Sequence, residues 1–369
     1  MVAKSKPADT ESLKKALRKK TPKRSRTIST KSLLSTGSTL LDLQCTGRWQ
    51  GGLVKGLCYW LVGDSDSGKT FTSLTCLAEA AKNPEFDGYR FIHDNAENGA
   101  LMDVVKFFGK PVADRLEPPR RTKDGSPENS ASVEEFYFNL DDVLKTGPCI
   151  YILDSMEALT TAQEETKFNE AKTAFRKGKE AAGDYGMAKA KINSMRLRKI
   201  LGPLTRTGSI LIIISQTRDN VGAGLFGEKS KAGGGRSLKF YSRLMISTSP
   251  KGQIKKTVRK KQRQVGVLIR ARVKKNHLTG KLGSVDIPIY WSYGIDNTGS
   301  MIDYLVSEGH WTKKKGVGIE APEFEFTGSR DDLVRHVEEN ELDRDLKEIT
   351  AEVWHEIEEA MSLGRKPRY

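Results

Sequence analysis

The fold of this 369-residue chain is indicated by the stretch Gly63-Asp64-Ser65-Asp66-Ser67-Gly68-Lys69-Thr70. The apolar run 57–62 precedes it and an apolar-periodic run, 71–81, follows it, so the stretch is predicted to join a β-strand to an α-helix. In that context the spacing G-x-x-x-x-G-K-T is typical of a phosphate-binding loop. Backbone N–H groups and the helix N-terminus would face the phosphates of a nucleoside triphosphate, Lys69 would reach the β- and γ-phosphates, and Thr70 would bind Mg²⁺.

The net charge of +15 is unevenly distributed along the chain. Residues 1–27 carry ten Lys and Arg against two acidic residues, whereas residues 320–360 carry fifteen Asp and Glu against four basic residues. The rest of the chain is therefore strongly basic, which favours a polyanionic partner such as nucleic acid.

Composition also predicts the cellular setting. No apolar run approaches the roughly 20 residues that a membrane span needs, and no apolar core follows the basic N-terminal residues as it would in a secretory signal. Cys45, Cys58, Cys76 and Cys149 are scattered and form no C-x-x-C pair. They are expected to be buried, reduced thiols of a cytoplasmic protein, with neither a disulfide framework nor a zinc site.

Between residues 35 and 297, apolar strand-like runs alternate with amphipathic helical ones. This alternation is typical of an α/β fold in which helices cover both faces of a mostly parallel sheet. The predicted helices are Thr70–Lys82, Leu101–Phe108 and Lys189–Leu204. The predicted strands are Tyr59–Val62, Arg90–His93, Phe136–Asn139, Ile150–Leu153, Ile210–Ser215, Leu244–Thr248, Gln264–Lys274 and Val285–Tyr290.

Two stretches interrupt the alternation: residues 160–187 are polar and charged, and residues 217–236 are rich in glycine. Both are predicted to be loops, and residues 255–263 are predicted to form the tip of a hairpin. Beyond residue 293 the sequence becomes acidic, with a capping-box-like helix start at Ser329 and helical apolar spacing from 342 to 361. We expect three parts: a basic arm (1–32), an α/β ATPase core (33–299) and a small acidic α/β C-terminal domain (300–369).

Polar residues that follow apolar strands are candidates for the chemistry of the triphosphate. Asp154 is expected to orient Mg²⁺ together with Thr70. Hydrolysis also needs a group that polarises the attacking water, and Glu97 and Asp94 both lie at the carboxyl edge of the sheet, where ligands bind. Gln216 is expected to hydrogen-bond the γ-phosphate and so to respond when that phosphate is lost.

The segment 217–236, directly after Gln216, is basic and has an apolar pair at its centre. Basic side chains would bind the phosphates of DNA, the backbone of the glycines could approach a DNA strand closely, and Leu225 or Phe226 would insert between bases. We therefore expect a DNA-binding loop that is gated by the nucleotide. The basic stretches 167–191 and 255–263 are further candidates. The predicted DNA-binding residues are Lys189, Lys191, Arg196, Arg218, Leu225, Phe226, Lys229, Lys231, Gly234, Gly235 and Arg236.

The order of these motifs resembles that of the RecA family, the strand-exchange recombinases of bacteria and their phages. The resemblance covers roughly residues 33–360. It implies a RecA-like core that assembles as a right-handed helical filament on single-stranded DNA, with ATP between subunits. The matching segments are Ser35-Thr36-Gly37-Ser38 with Leu41-Asp42, residues 63–70, Asp154-Ser155, Ser215-Gln216, residues 234–241, residues 273–277 and residues 293–296.

The resemblance also implies roles for individual residues. Glu97 looks like the general base and Gln216 like the γ-phosphate sensor. Residues 156–190 and 217–236 look like the two DNA-binding loops, with Phe226 as the intercalating candidate. Lys275 falls where the family has a lysine that reaches the ATP of the neighbouring subunit.

Three departures from the family pattern stand out. The chain has His277 where relatives usually have a second lysine that acts on the neighbouring subunit's ATP. It has an extra residue next to Glu97, which leaves the choice between Glu97 and Asp94 open. Its first DNA-binding loop is longer and more basic. These features indicate a phage-encoded or otherwise divergent member.

The leading hypothesis is a DNA-dependent ATPase that pairs single-stranded DNA with a homologous duplex. It would act in the cytoplasm of a bacterial cell, a phage-infected one included, with a single-strand-binding or loader protein as a further partner. One alternative is a DNA-binding mediator or annealing protein that uses ATP as an assembly switch. Another is a ring-forming helicase motor with a similar core.

Overall fold

The computed structural model describes residues 28–99, 102–177, 188–219, 230–232 and 235–365. Within these ranges no helix has the length and apolar character to cross a membrane. In chain order, the strands up to residue 295 are β1 (Leu33–Leu34), β2 (Leu53–Val54), β3 (Cys58–Gly63), β4 (Arg90–Asp94), β5 (Leu116–Glu117), β6 (Arg120–Arg121), β7 (Pro127–Glu128), β8 (Cys149–Leu153), β9 (Ile210–Asp219), β10 (Ser230–Ala232), β11 (Leu244–Val258), β12 (Lys261–Asn276), β13 (Gly283–Tyr290) and β14 (Gly294–Ile295).

The helices lie between and after these strands. They are α1 (Thr39–Thr46), α2 (Lys69–Ala81), α3 (Val104–Phe108), α4 (Lys110–Arg115), α5 (Val133–Lys145), α6 (Ala162–Arg176), α7 (Ala188–Thr207), α8 (Arg236–Tyr241), α9 (Asn297–Ser307), α10 (Arg330–Glu339) and α11 (Asp343–Ala360). Short 3₁₀ turns span Thr30–Ser32, Pro84–Phe86 and Pro322–Phe324.

A large mixed sheet runs through the molecule in the order β14-β13-β12-β11-β3-β9-β8-β4-β5, with β10 paired to β9. The strands from β11 to β5 are parallel, whereas β12, β13, β14 and β10 are added antiparallel. The predicted α/β fold with a mostly parallel sheet is therefore confirmed. The register matters for function, because Gly63 at the end of β3 lies between Thr248 of β11 and Gln216 of β9.

Helices cover both faces of this sheet, as predicted. On β9, Ile212 and Ile214 face a core shared with α1 and α2, whereas Leu211 and Ile213 face a second core shared with α5 and α7. This alternation follows from the two-residue period of a strand, which sends successive side chains to opposite faces. All four cysteines are free and buried, so their predicted burial is confirmed.

The predicted strand Phe136–Asn139 is wrong, because these residues lie in α5. The aromatic residues and their alternation favoured a strand. The helix instead begins with a complete capping box between Ser132 and Glu135. Its buried residues, which include Val133, Phe136 and Leu140, recur at helical spacing. The four residues of the predicted strand are too few to show the helical period, which appears only over the whole of Val133–Lys145.

Two other predictions need correction. Much of the predicted loop 160–187 is the helix α6, which begins with a capping box between Thr161 and Glu164. The helix predicted over Leu101–Phe108 begins at Val104, because the Asp103 side chain caps it by accepting from the Lys106 N–H. Leu101 and residues 178–187 lie outside the described ranges. The hairpin predicted at 255–263 is confirmed as the turn between β11 and β12.

The acidic C-terminal region has a hydrophobic core of its own around Trp311, Leu333 and Leu346. Its strands β15 (Thr312–Lys314), β16 (Gly318–Ala321) and β17 (Phe326–Gly328) form a separate antiparallel sheet. The predicted helix start at Ser329 and the predicted long helix, α11, are both present. The division into an arm, a core and a C-terminal domain stays a prediction, and residues 1–27 of the arm lie outside the described ranges.

The motif at 35–42 has a structural explanation in the carboxyl group of Asp42. This fully buried side chain accepts hydrogen bonds from the Thr36 N–H (2.9 Å), the Thr36 hydroxyl (2.8 Å) and the Ser35 hydroxyl (2.8 Å). Burial nevertheless dominates and raises the pKa of Asp42 to about 7. The hydrogen bonds to Asp42 therefore fix the loop before α1. The raised pKa means that the protonated form of Asp42 is favoured in the folded chain.

We expect Asp42→Asn to remove a pH dependence from the stability. Between pH about 4 and pH about 7 the folded chain retains a proton on Asp42 that the unfolded chain releases, so the contribution of this group falls as pH rises. The unfolding free energy of the natural chain should therefore decline relative to that of the variant from pH 5 to pH 7.5. Urea unfolding of both proteins at both pH values measures this change. If the two unfolding free energies differ by the same amount at both pH values, the raised pKa of Asp42 is contradicted.

Candidate functional site

The phosphate-binding loop lines a cavity of about 690 Å³ at the carboxyl edge of the parallel strands. Residues 65–70 form one wall, and Glu97, Asp154 and Gln216 enter from the ends of neighbouring strands. Gly63, at the start of the loop, allows a close approach, since a Cβ atom there would lie 2.3 Å from the Thr248 carbonyl oxygen. The structure thus brings Glu97, Asp154 and Gln216 together beside the phosphate-binding loop.

The Lys69 ammonium group lies inside the curve of the loop. It donates to the backbone carbonyls of Gly63 (2.9 Å) and Asp64 (2.6 Å). Burial lowers its pKa, while the nearby carboxylates of Asp154 and Glu97 oppose that shift. A cation held among carbonyl dipoles at the N-terminus of α2 is well placed to bind an anionic phosphate.

Thr70 and Asp154 meet as the predicted metal site requires. The Thr70 hydroxyl donates to Asp154 Oδ2 at 2.6 Å. The peptide bond from Asp154 to Ser155 is cis. One hydroxyl and one carboxylate beside a phosphate-binding loop are the oxygen donors that suit Mg²⁺, which usually takes its remaining ligands from phosphates and water. The residues present therefore fit the metal.

The structure separates the two candidates for the general base. Asp94 is fully buried and accepts hydrogen bonds from the Ser130 N–H (2.8 Å), the Ser130 hydroxyl (2.6 Å) and the Tyr151 hydroxyl (2.7 Å). Burial raises the pKa of Asp94, and its side chain does not line the cavity. Glu97 is exposed and does line it. The geometry therefore favours Glu97, and Asp94 fixes the segment around Ser130.

Two consecutive residues of β9 contact the site. The Gln216 amide donates to Glu97 Oε1 at 2.9 Å, and the Ser155 hydroxyl donates to the same oxygen. The Thr217 hydroxyl donates to the Asp64 carboxylate of the phosphate-binding loop. The chain then enters the segment 217–236, so the cavity and the predicted DNA-binding loop are joined by a short stretch of one strand.

The predicted DNA-binding residues have different surroundings. The Lys189 ammonium donates to the backbone carbonyls of Met156 (3.4 Å) and Leu159, which anchors α7 to the segment after β8. The Arg196 guanidinium lies 5.1 Å from the centre of the Phe138 ring. The side chains of Lys191 and Arg236 are exposed, and Gly235 precedes α8 with a φ of 86°. For all of these residues DNA binding stays a prediction.

The second predicted DNA-binding loop is described only at its ends. Thr217–Asp219 of β9 pair with Ser230–Ala232 of β10, and this antiparallel pair closes the base of the loop. Arg218 and Lys231 are paired in this ladder. The structure does not describe their side chains, and Leu225, Phe226, Lys229 and Gly234 lie outside the described ranges.

Lys275 does not line the cavity of its own chain. It pairs with Met245 at the start of β11, whereas Val267, eight residues earlier on β12, lines the cavity. The Lys275 ammonium donates to the carbonyls of Phe240 (2.8 Å) and Ser242 (2.7 Å), which satisfies backbone groups at the end of α8. His277 is exposed beside it, and the Lys275 charge lowers the pKa of His277.

Sequence reasoning missed several residues of the cavity. Trp291 follows β13 and is 55% exposed, and it lines the cavity together with Phe71 and Met102. His93 does not line the cavity but lies close to it: it is buried, and its Nε2 lies 3.8 Å from Asp154 Oδ2 with no hydrogen-bond partner among the described residues. The signal for Trp291 was an aromatic residue that follows an apolar strand. The position of His93 depends on how β4 and β8 pair, and the sequence alone does not give that pairing.

Comparisons with known proteins agree with this arrangement. Residues 148–296 match the family described as the RecA N-terminal domain. The chain is 28% identical over 280 residues to Protein RecA of Cytophaga hutchinsonii, and the aligned stretch covers 75% of this chain and 69% of the relative. It is 25% identical over 336 residues to Protein RecA of Lactiplantibacillus pentosus, with 90% and 78% covered. It is 26% identical over 336 residues to Protein RecA of Rubrobacter xylanophilus, with 91% and 86% covered.

Proposed function

We propose that this chain, which is similar to RecA proteins over most of its length, is a member of the RecA family and an ATP-dependent DNA recombinase. It would form helical filaments on single-stranded DNA and exchange strands with a homologous duplex in the cytoplasm of a bacterial cell, a phage-infected one included. A single-strand-binding or loader protein would be a further partner. The observation that carries the proposal is the direct link from Glu97 through Gln216 to the segment 217–236.

In the proposed reaction the phosphate-binding loop and Lys69 hold ATP, and Glu97 takes the proton of the attacking water. Bound Mg²⁺, held through Thr70 and Asp154, would neutralise charge on the β- and γ-phosphates. In the described part of the chain, the bonds from Ser155 and Gln216 both end at Glu97 Oε1. They hold the carboxylate in place, and Oε2 is the oxygen that would accept the proton.

The coupling to DNA would run through β9. A γ-phosphate in the cavity offers the Gln216 amide a charged acceptor in place of Glu97, and the backbone that continues into the DNA-binding segment would shift with it. Loss of that phosphate on hydrolysis would reverse the exchange and weaken the hold on DNA. Gln216 would thus be the sensor of the nucleotide state.

Assembly would complete the site across a subunit boundary. Lys275 does not line the cavity of its own chain, which supports a role towards the ATP of a neighbouring subunit. In the isolated chain the Lys275 ammonium donates to carbonyls at the end of α8. On binding the ATP of a neighbour, the ammonium would exchange at least one of these carbonyls for a phosphate oxygen. His277 beside it would add charge only when protonated.

We expect Gln216→Ala to separate nucleotide binding from DNA binding. The variant retains Lys69 and Thr70, so its affinity for an ATP analogue should stay within about threefold of the natural chain. The gain in single-strand affinity on adding the analogue should fall at least tenfold, because the donor that responds to the γ-phosphate is gone. Fluorescence anisotropy of labelled oligothymidylate, with and without the analogue, measures this gain.

A matched control is Gln264→Ala, which removes another glutamine from the cavity lining. Gln264 lies on β12 and does not lead into the DNA-binding segment, so this variant should retain the gain. An unchanged gain in Gln216→Ala would contradict the proposed coupling.

A further inference from the structure

The end of β9 that carries Gln216 has a parallel strand on one side only, within the part of the chain that the structure describes. β3 pairs with β9 as far as Gly63, which lies opposite Gln216. On the other side, β8 pairs with β9 only as far as Leu153, which lies opposite Ile213. Backbone groups beyond Ile213 that point towards β8 therefore need another partner, because an N–H that is shielded from water and left unpaired costs free energy.

The segment after β8 supplies these partners. The Met156 N–H donates to the Ile214 carbonyl at 3.0 Å, which extends the ladder beyond the end of β8. Two residues further along β9, the Gln216 N–H donates to the Glu157 carboxylate at 2.8 Å. Residues 214 and 216 present their backbone groups to the same edge, since these directions alternate along a strand. The Glu157 carboxylate thus takes the place of a strand carbonyl.

The acceptor that Glu157 provides is strong and held in place. Burial raises the pKa of Glu157, and the hydrogen bond from the Gln216 N–H opposes that shift. A hydrogen bond to an ionised acceptor is stronger than one to a neutral carbonyl. The preceding residue, Met156, is fully buried, and the Lys189 ammonium donates to its carbonyl at 3.4 Å. Glu157 therefore starts from a fixed backbone and can in turn fix that of Gln216.

The direction of the Gln216 backbone decides what its side chain reaches. The Gln216 amide donates to Glu97 Oε1 at 2.9 Å. If the peptide before Gln216 rotated, the amide would turn away from Glu97 and from the place of the γ-phosphate. Small displacements of this kind weaken interactions that depend on precise geometry. The bond to Glu157 prevents that rotation.

We propose that Glu157 is a positioning residue of the nucleotide sensor: its carboxylate fixes the Gln216 backbone so that the Gln216 amide faces the γ-phosphate. This inference rests on the proposed function and adds to it a residue that does not line the cavity. Glu157 would act through Gln216 alone and would contact neither the nucleotide nor DNA.

The test measures, for the full-length chain, the gain in affinity for labelled oligothymidylate on adding a non-hydrolysable ATP analogue. Glu157→Leu retains bulk and removes the acceptor, so the gain should fall about tenfold, the value of one hydrogen bond to a charged group. Glu157→Gln retains an acceptor oxygen and should keep most of the gain. The matched control is Glu165→Leu, the same change at an exposed position of α6, which should keep the whole gain.

A double variant separates positioning from general destabilisation. If Glu157 acts through Gln216, Glu157→Leu with Gln216→Ala should lose no more of the gain than Gln216→Ala alone, because the effects of coupled residues do not add. Hydrogen exchange followed by mass spectrometry tests the bond itself. The stretch that ends at Gln216 should exchange faster in Glu157→Leu and at the natural rate in Glu157→Gln.

Glu157→Ala, which also lacks the acceptor, is measured in parallel and should show the same loss, so that the result does not depend on how leucine packs. An undiminished gain in the leucine and alanine variants would overturn the inference. So would a loss in Glu157→Gln as large as theirs, or losses that add in the double variant. Absence of any nucleotide-dependent gain in the natural chain would instead overturn the proposed function itself.

Discussion

Lys69→Ala should abolish ATP-dependent assembly on DNA. The Lys69 ammonium is the cation enclosed by the phosphate-binding loop, and alanine leaves the Gly63 and Asp64 carbonyls facing the phosphates without a counter-charge. Removing one such electrostatic contact from a catalytic site costs about 10²–10³ in turnover. We therefore expect ATP hydrolysis in the presence of single-stranded DNA to fall at least a hundredfold, as measured by phosphate release.

The matched control is Lys82→Ala at the other end of α2. Lys82 is exposed, and the change removes the same charge from the same helix while leaving the cavity untouched. Hydrolysis should then stay near that of the natural chain. Thermal unfolding of both variants checks that the fold is retained. Normal DNA-dependent hydrolysis by Lys69→Ala would show that the cavity is not the ATP site.

Glu97→Gln should block hydrolysis and leave nucleotide binding intact. The amide retains an oxygen that can accept from Ser155 and Gln216, so the geometry of the site is preserved, but it cannot take a proton from water. General-base catalysis contributes about 10²–10⁴ to a rate. We expect turnover to fall by a factor in that range, with the affinity for an ATP analogue within about threefold. Single-turnover hydrolysis and analogue titration measure the two effects separately.

Asp94→Asn is the informative comparison, since Asp94 was the other candidate base. Its carboxylate receives three hydrogen bonds from Ser130 and Tyr151, and asparagine offers only one acceptor oxygen there. The variant should lose about 1–3 kcal/mol of stability. Its turnover per folded molecule should change little. A larger loss of turnover in Asp94→Asn than in Glu97→Gln would reverse the assignment.

Much of the fold could be predicted because its signals are local. The strand before Gly63 and the helix after Thr70 follow from apolar periodicity and the glycine spacing, and both are present. Predictions of secondary structure were wrong where the deciding pattern extends over a longer stretch of sequence. The aromatic residues of α5 looked like a strand within four residues, and α6 was hidden by its polar composition although the capping-box pattern at Thr161 was readable.

The residues of the site that could be predicted are those that lie at the C-terminal ends of strands. Asp154, Glu97 and Gln216 follow the apolar runs of β8, β4 and β9, which are neighbours in the sheet, and parallel pairing brings such positions to one edge. The choice between Glu97 and Asp94 depended on burial, which a single sequence does not give. The place of Lys275 depended on β12 running antiparallel to β11, away from the cavity. The nearness of His93 to Asp154 likewise comes from strand register.

Electron microscopy of the chain with single-stranded DNA and a non-hydrolysable ATP analogue tests the central claim most directly. That claim is that one ATP both joins neighbouring subunits and sets their hold on DNA. It predicts a continuous helical filament, with the nucleotide between Lys69 of one subunit and Lys275 of the next, and no filament when the analogue is left out. Closed rings, or filaments that form equally well without the nucleotide, would contradict it.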